Sequence, residues 1–472
     1  MSRLFETRPG DDGLPGPQRR AAVIVLIFGT LMAVLDANMV NIALPTMARD
    51  LDIAPSRVVW ITNLYQLVGA MSLLAFAAFS QVITRRRLYI GGMTVFATAS
   101  LGCALTRDFE WLLLWRALQG LGAAAMLSIG PSLYRLIFPT RLLGSALGIS
   151  AMVAALGYAS GPSLGGLVLA IAGWPWLFAL NVPIGIMVVL LAWRVLPKEA
   201  PRSGGFDFLG ALLSALMLGS LVVAMDALAH EGGLLVFSAL LMAGFASAWL
   251  FLRRQRRITH PLLPLEIFSS RRLSFAATVS GVVFVAQGLT FVCLSFLYQD
   301  VLGYSPLVAA GLFTPWPLVV MVVAPLAGRF ADRFNPSLLA SIGLGFAAMG
   351  LASLALLDAE ADIADIVWRP ALCGLGFGMF QSPNNRELLS NAPKSLSAIA
   401  SGVLATVRTF GQSLGVALTG LVFAWDPQGV HVALWIGVGV ILMALLISSW
   451  RIPITAATRR EEGVGESSPG LK

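Results

Sequence analysis

Charge is what this chain has least of: only 12% of its 472 residues are Asp, Glu, Lys or Arg, against 57% hydrophobic residues. Soluble domains carry about twice that charged share, so a soluble catalytic domain or a disordered scaffold is excluded. Cysteine is also scarce. Cys103, Cys293 and Cys373 lie far apart inside apolar runs, and neither a disulfide framework nor a metal site follows. The only histidines are His230, His260 and His431, all at loop edges. No nucleophile and base pair, metal cluster or phosphate loop accompanies them, so an enzyme is not expected. Lysine occurs only at Lys198, Lys394 and Lys472. Basic residues that are nearly all arginine point to a GC-rich genome and so to a bacterium. The opening MSRLFETRPGDDGLPGPQRR lacks the apolar stretch and small-residue cleavage site of a signal peptide. Finally, the apolar runs are continuous rather than alternating, which excludes a β-barrel.

What remains is an integral membrane protein with a mean hydropathy of +0.82. Apolar spans fall at 21–45, 57–80, 88–106, 110–134, 143–171 and 174–194, then at 207–228 and 233–252, and then at 273–299, 306–328, 337–357, 363–385, 397–424 and 430–450. The expected architecture is all-α. A tail at 1–20 precedes a six-helix bundle at 21–194, two inserted helices at 207–252 and a basic connector at 253–272; a second six-helix bundle at 273–450 and a tail at 451–472 follow. Fourteen spans place both tails on one side. The loops on that side hold Arg85 to Arg87, Arg141, the RRQRR run, Arg271, Arg272, Arg329 and Arg333; the opposite loops hold Asp50, Asp52, Asp108, Glu110, Asp300, Asp358 and Asp362. By the positive-inside rule both termini are cytoplasmic, in a bacterial inner membrane. The net charge of +8 is therefore a topology signal, and no nucleic-acid partner is expected.

The two six-span blocks resemble each other. Trp115-Arg116 and the Gly120 and Gly122 that follow recur as Trp368-Arg369 with Gly374 and Gly376, and Gly148, Gly157 and Gly161 recur at Gly402, Gly411 and Gly415 with a constant offset of 254 residues. Two repeats rocking about a midplane site is how secondary transporters are built.

Span 1 reads VLDANMVNIALPTM and carries one acid, Asp36, in an otherwise apolar helix. A carboxylate there costs roughly 2.5–3.5 kcal/mol on insertion scales, so it faces water or a partner. Two readings stand: a proton-coupling acid, or an aspartate held ionised by an arginine as a packing tie. Arg116 in span 4 lies at a similar depth, about 9 Å from its outer end against about 13 Å for Asp36, so the two can pair. Arg408 in span 13 has no acid at its depth, and either bonds backbone carbonyls as a tie or faces a cavity. Span 5 contains Gly157, Gly161, Pro162, Gly165 and Gly166. Glycines at i, i+4 and i+8 give a smooth face for a neighbouring backbone.

This GxxxGPxxGG string resembles the antiporter signature of the major facilitator superfamily. LDANMVNIALP, WRALQGLG, LYQDVLGYSPLVAAG and MFQSPNNRELLSNAP resemble motifs of its fourteen-span drug:proton antiporter family, and the likeness runs over nearly the whole chain. The resemblance implies two bundles with alternating access, proton coupling at Asp36 and Arg116, and a glycine face of span 5 that forms an interface between the halves. It also implies a cytoplasmic latch at Gly328, Asp332 and Arg333. The matching loop of the first half departs from the pattern, with Gln81 in place of the acid, so the latch on that side is expected to be weaker. Asn38 stands where the family has threonine.

For cargo, the only carboxylates expected within the membrane, away from the span ends, are Asp36 and, near the outer end of span 7, Asp226, against Arg116, Arg369 and Arg408, which argues against organic dications. Candidate cavity residues are Asn41, Tyr65, Gln66, Gln119, Tyr158, Gln287, Tyr298, Trp316, Gln381, Arg408 and Gln412. The expected activity is proton-coupled export of lipophilic compounds, with the proton gradient as energy source and no cofactor. Expected partners are the cargo, protons, membrane lipids and, in addition, a periplasmic adaptor protein. An exporter of one endogenous metabolite or lipid, and a non-transporting receptor, are the competing readings.

Overall fold

The computed structural model describes residues 6, 11–80, 82–199, 205–228, 233–358, 360–393 and 396–453. Within them lie fourteen helices long and apolar enough to cross a membrane. They are α1 (Gly16–Asp50), α2 (Pro55–Phe79), α3 (Arg85–Leu105), α4 (Phe109–Ile137), α5 (Thr140–Ile171), α6 (Pro175–Val195), α7 (Phe208–Ala227), α8 (Gly233–Gln255), α9 (Arg271–Val301), α10 (Pro306–Ala331), α11 (Pro336–Ala355), α12 (Ile363–Ser390), α13 (Ser397–Trp425) and α14 (Val430–Trp450). A helix satisfies its own backbone groups, which apolar surroundings require. Polar residues mark several starts: Thr84, Asp108, Asp207, Ser305 and Asp362 each accept a bond from a backbone N–H of the first turn.

Each packing partner in the first block has its counterpart eight helices later. In the first half α1 packs on α5 and α6, α2 on α4, and α3 on α4 and α6; in the second α9 packs on α13 and α14, α10 on α12, and α11 on α12 and α14. The halves meet along the two equivalent pairs α2–α13 and α5–α10. The inserted α7 and α8 pack on each other, with α7 lying against α2 and α13. Asp207 ties this hairpin: its carboxylate accepts from the Gly210 N–H at 2.8 Å, Arg254 Nε at 2.6 Å and Gln255 Nε2 at 2.9 Å. Burial raises its pKa, but these bonds outweigh that and hold the group below the ordinary aspartate value.

The glycine repeat explains one of these pairings and corrects an expectation. Cβ atoms placed at Gly157, Gly161 and Gly165 would lie 2.9 Å from Val34 Cγ1, 2.6 Å from Asn38 Cβ and 2.8 Å from Ile42 Cγ2. That face seats α5 on α1 within one half. It is not the interface between halves. Gly411 and Gly415 press in the same way on α9, where a Cβ would meet Gly281 O at 2.6 Å and Leu289 N at 2.7 Å. Only Gly166, about 100° further round the helix, faces the other half, where a Cβ would crowd Ala310 and come 2.7 Å from Pro306 O.

Contacts between the halves concentrate at the end that carries the acidic loops. There Arg49 donates to Asp300 at 2.6 Å, Gln299 Nε2 to Ile42 O at 2.7 Å, and the hydroxyls of Ser163 and Thr314 share a 2.7 Å bond. Toward the arginine-rich end the same α5 leaves open space beside Gly144 and Gly148. The halves are therefore shut at one end and parted along α5–α10 at the other.

Substituting Gly166→Val should force α5 and α10 apart at the closed end. The expected outcome is a fall in disulfide yield between cysteines placed at Arg49 and Asp300, with the helix content by circular dichroism unchanged; an unchanged yield would count against this contact as part of the closure.

Candidate functional site

Asp36 lies in the middle of α1, 2% exposed, and its carboxylate is enclosed by donors from two other helices. Arg116 Nη1 of α4 reaches Oδ2 at 2.5 Å, while Gln119 Nε2 at 2.8 Å and Asn181 Nδ2 of α6 at 2.9 Å both donate to Oδ1. Gln119 Oε1 accepts from Arg116 at 2.6 Å, and its amide also donates to Ser100 Oγ of α3 at 2.8 Å. Arg116 Nε donates to Ile61 O of α2 at 2.9 Å. Its guanidinium lies 4.4 Å from the Tyr65 ring centroid and 5.5 Å from that of Phe178, positions where an aromatic face attracts a cation. Both charged side chains are buried. Five helices thus converge on one ion pair, and Arg116 Nη2 is left without a hydrogen-bond partner among the described residues.

The Asp36 carboxylate is the acceptor on which this cluster closes. Ionised, it uses all the donors aimed at it; protonated, it would leave Arg116 as a buried cation with only an amide, a carbonyl and two rings. Removing one member of a buried pair costs about 3–5 kcal/mol because the other stays uncompensated.

A second buried ion cluster lies at the arginine-rich end of the other half. Glu387 of α12 is 3% exposed and accepts from Ser337 Oγ at 2.9 Å, with Arg451 at 3.6 Å and Arg272 at 3.8 Å. Arg451 also donates to Asn384 Oδ1 at 2.6 Å. This corrects the expectation that Asp36 and Asp226 are the only acids within the membrane: α12 runs on to Ser390, past the 385 expected for it, and takes the buried Glu387 inside. Asp226, the other expected acid, accepts from Trp60 Nε1 at 2.8 Å across α7 and α2.

The remaining candidates divide sharply. Tyr158 of α5, half-buried Arg408 and Gln412 of α13, and Gln287 of α9 come together between the halves, with Gln412 Nε2 donating to Gln287 Oε1 at 3.0 Å and the Tyr158 hydroxyl beside Gln412. Gln381 of α12 is half-buried. Asn41 and Gln66 are buried, each with a side-chain oxygen lacking a partner among the described residues. Gln119 and Tyr65 belong to the Asp36 cluster rather than to a cavity wall; Tyr65 also donates to Ala33 O at 3.0 Å. Tyr298 and Trp316 are packed inside the second half, Tyr298 against Phe313 at 5.6 Å and Trp316 against Phe291 at 5.3 Å, so the expectation that they line a cavity is not met. Their bulk fills the bundle core that the sequence read as pocket.

At the expected latch, a Cβ on Gly328 would meet Ser382 Oγ of α12 at 2.7 Å, and Arg333 is exposed. The Asp332 side chain and Gln81 lie outside the described residues. Asn181 and Ser100 were missed from sequence. A lone asparagine inside the apolar α6 was the available signal for the first; Ser100 bonds Phe96 O of its own helix at 2.7 Å, as serines in helices commonly do, and gave none.

Asp36→Leu and Arg116→Leu should each lower the thermal unfolding temperature in detergent by several degrees, while the double variant should lose less than the two single effects combined, as expected for groups in one network. Additive losses would show that the two charges do not depend on each other.

Residues 26–416 match the family model described as Major Facilitator Superfamily. The chain is 41% identical over 444 residues to an uncharacterized transporter, YebQ, of Escherichia coli, covering 93% of this chain and 97% of that protein. It is 29% identical to the riboflavin transporter RibZ of Clostridioides difficile, over 86% and 89% of the two chains. It is 30% identical to the multidrug resistance protein Stp of Mycobacterium tuberculosis, over 86% and 76%. With fourteen apolar helices among the described residues, twelve in two repeated bundles and two inserted between them, and a family match over most of its length, the chain is a multi-pass membrane transporter belonging to the Major Facilitator Superfamily.

Proposed function

We propose that the protein is a proton-coupled antiporter of the bacterial inner membrane that exports lipophilic small molecules by alternating access. The observation that carries this reading is the Asp36 cluster: a single carboxylate, 2% exposed, bonded to Arg116, Gln119 and Asn181 on the helix that also closes against the other half. A proton arriving at Asp36 removes the anion that Arg116 pairs with and loosens α1 from α4 and α6. Because α1 seats α5 and contacts α9, that loosening reaches both lines where the halves meet.

With the arginine-rich end cytoplasmic, the parted side of α5–α10 opens inward and admits cargo from the cytoplasm or inner leaflet. The ion pair at the rim contributes little to the outer closure. Arg49 and Asp300 are 55% and 39% exposed at the side chain, and a surface pair of that kind contributes about 0–1 kcal/mol. A modest difference in binding free energy between the two states is then enough to shift the balance. The proton gradient supplies the energy and no cofactor enters.

The likeness to Stp, named as a multidrug resistance protein, supports a broad lipophilic cargo. The likeness to RibZ, named as a riboflavin transporter, favours a second reading in which one metabolite is moved by the same coupling.

Proteoliposomes with an imposed pH gradient should move a lipophilic dye such as Nile red in the direction set by the gradient. The flux should collapse with a proton ionophore and fall at least about tenfold in Asp36→Asn, equivalent to about 1.4 kcal/mol of driving interaction. Flux indifferent to gradient and mutation would remove the coupling role. Inhibition by riboflavin alone, with unrelated lipophiles inert, would select the single-metabolite reading.

A further inference from the structure

We infer that the space between the halves selects amphiphilic anions, with the Arg408 guanidinium as the counter-charge that receives them. This deepens the exporter reading and rests on it, since it names the charge class of the cargo.

Arg408 lies about 16 Å along α13 from its Ser397 end at 1.5 Å per residue, in the middle third of the helix. A guanidinium at such a depth normally has a carboxylate. The other arginines inside the helix bundle follow that rule: Arg116 pairs with Asp36, Arg369 with Asp365, and Arg451 and Arg272 with Glu387. Arg408 breaks it. Its Nη2 donates to the amide oxygen of Asn385, its guanidinium carbon stands 5.1 Å from the Phe284 ring centroid, and its Nε is buried with no acceptor. No carboxylate pairs with it among the described residues. The alternative that it serves as a tie to backbone carbonyls finds no such bond among the described residues, since its one hydrogen bond goes to a neutral side chain.

The surroundings complete an anion site. Tyr158 approaches from α5 of the opposite half, close enough to interact electrostatically with Arg408, and is 38% exposed although it stands in the middle of its helix. That exposure means open space beside the cation. Gln412 and Gln287 add amide groups, already joined to each other at 3.0 Å, and Phe284 adds an aromatic wall. One uncompensated positive charge, hydroxyl and amide donors, and rings on either side suit a carboxylate, phenolate or similar anion carried on an apolar body. Cations find no counterpart, because the two buried carboxylates nearest in role are consumed: Asp36 by three donors and Glu387 by Ser337 and two arginines. Contributions from both halves also tie occupancy to their relative position, as an alternating-access site requires.

The test uses two probes of nearly identical shape and opposite charge, tetraphenylborate and tetraphenylphosphonium, titrated into the purified full-length protein in neutral detergent and followed by calorimetry without any gradient. Wild type should bind the anion at least about tenfold more tightly than the cation, a difference of about 1.4 kcal/mol. Arg408→Gln should abolish the preference. Asn385→Asp, which sets a carboxylate beside the intact arginine, should abolish it too, so the result does not hang on one variant folding; Arg408→Lys should retain it in reduced form. Equal binding of the two probes by wild type, or a preference that survives both Arg408→Gln and Asn385→Asp, would overturn the assignment. Because binding is measured at equilibrium, anion preference without gradient-driven flux would sink the exporter reading alone, and coupled flux without charge preference would sink this one alone.

Discussion

A carboxylate inside a bundle of apolar helices must be surrounded by donors or give up its charge, and the first half of this protein is organised around that requirement at Asp36. Arg116, Gln119, Asn181 and Ser100 come from α4, α6 and α3, and Arg116 reaches the backbone of α2 at Ile61. α1 cannot change its place relative to α4 and α6 without breaking these bonds. The same helix carries α5 on its other side through the glycine face and meets α9 at its end. The helix that carries Asp36 is thus in contact both with α5 and with the other half.

The second half repeats the helix arrangement without repeating the chemistry. At the repeat offset of 254 residues Asp36 corresponds to Thr290, whose hydroxyl merely donates to Ala286 O of its own helix at 2.7 Å. Arg369, the counterpart of Arg116, turns to Asp365 one helical turn away at 2.6 Å. The buried acid of this half is Glu387, at the opposite end, held by α9, α11 and the residue after α14. Backbone packing set by small residues tolerates this divergence, because the glycine contacts need only the absence of a Cβ. Ion clusters do not, because each charge needs its own partners. One repeat thus has a buried acid in the middle of its first helix, while the other leaves Arg408, in the middle third of α13, hydrogen-bonded to the neutral Asn385.

The interface between halves is built from different material. Along α5–α10 and α2–α13 it consists of hydroxyl and amide bonds, such as Ser163 with Thr314 and Ser413 with Asn63, and of close apolar contacts, with one exposed ion pair at the rim. Such contacts are individually modest. Under the proposed alternating access, strong bonding within each half and weaker bonding between them would let the halves move as units.

The sequence by itself determined the helices, their number, the two repeats and the residues able to form an ion pair in the membrane, because each of these follows from local hydrophobicity, fixed offsets or depth along one helix. It also marked Arg408 as a cation without an acid at its level. Rotation about a helix axis is not set by depth, and there only the tertiary structure decided. It turned Gly157, Gly161 and Gly165 toward α1 instead of the other half, drew Gln119 and Tyr65 into the Asp36 cluster, buried Tyr298 and Trp316 in the second bundle, and brought in Asn181, whose role depends on where α6 meets α1. The physical reason is that an apolar helix in apolar surroundings has no hydrophobic stripe to orient it. Its facing is chosen by packing of small residues and by scarce polar partners on other helices, and those partners lie tens or hundreds of residues away in the chain.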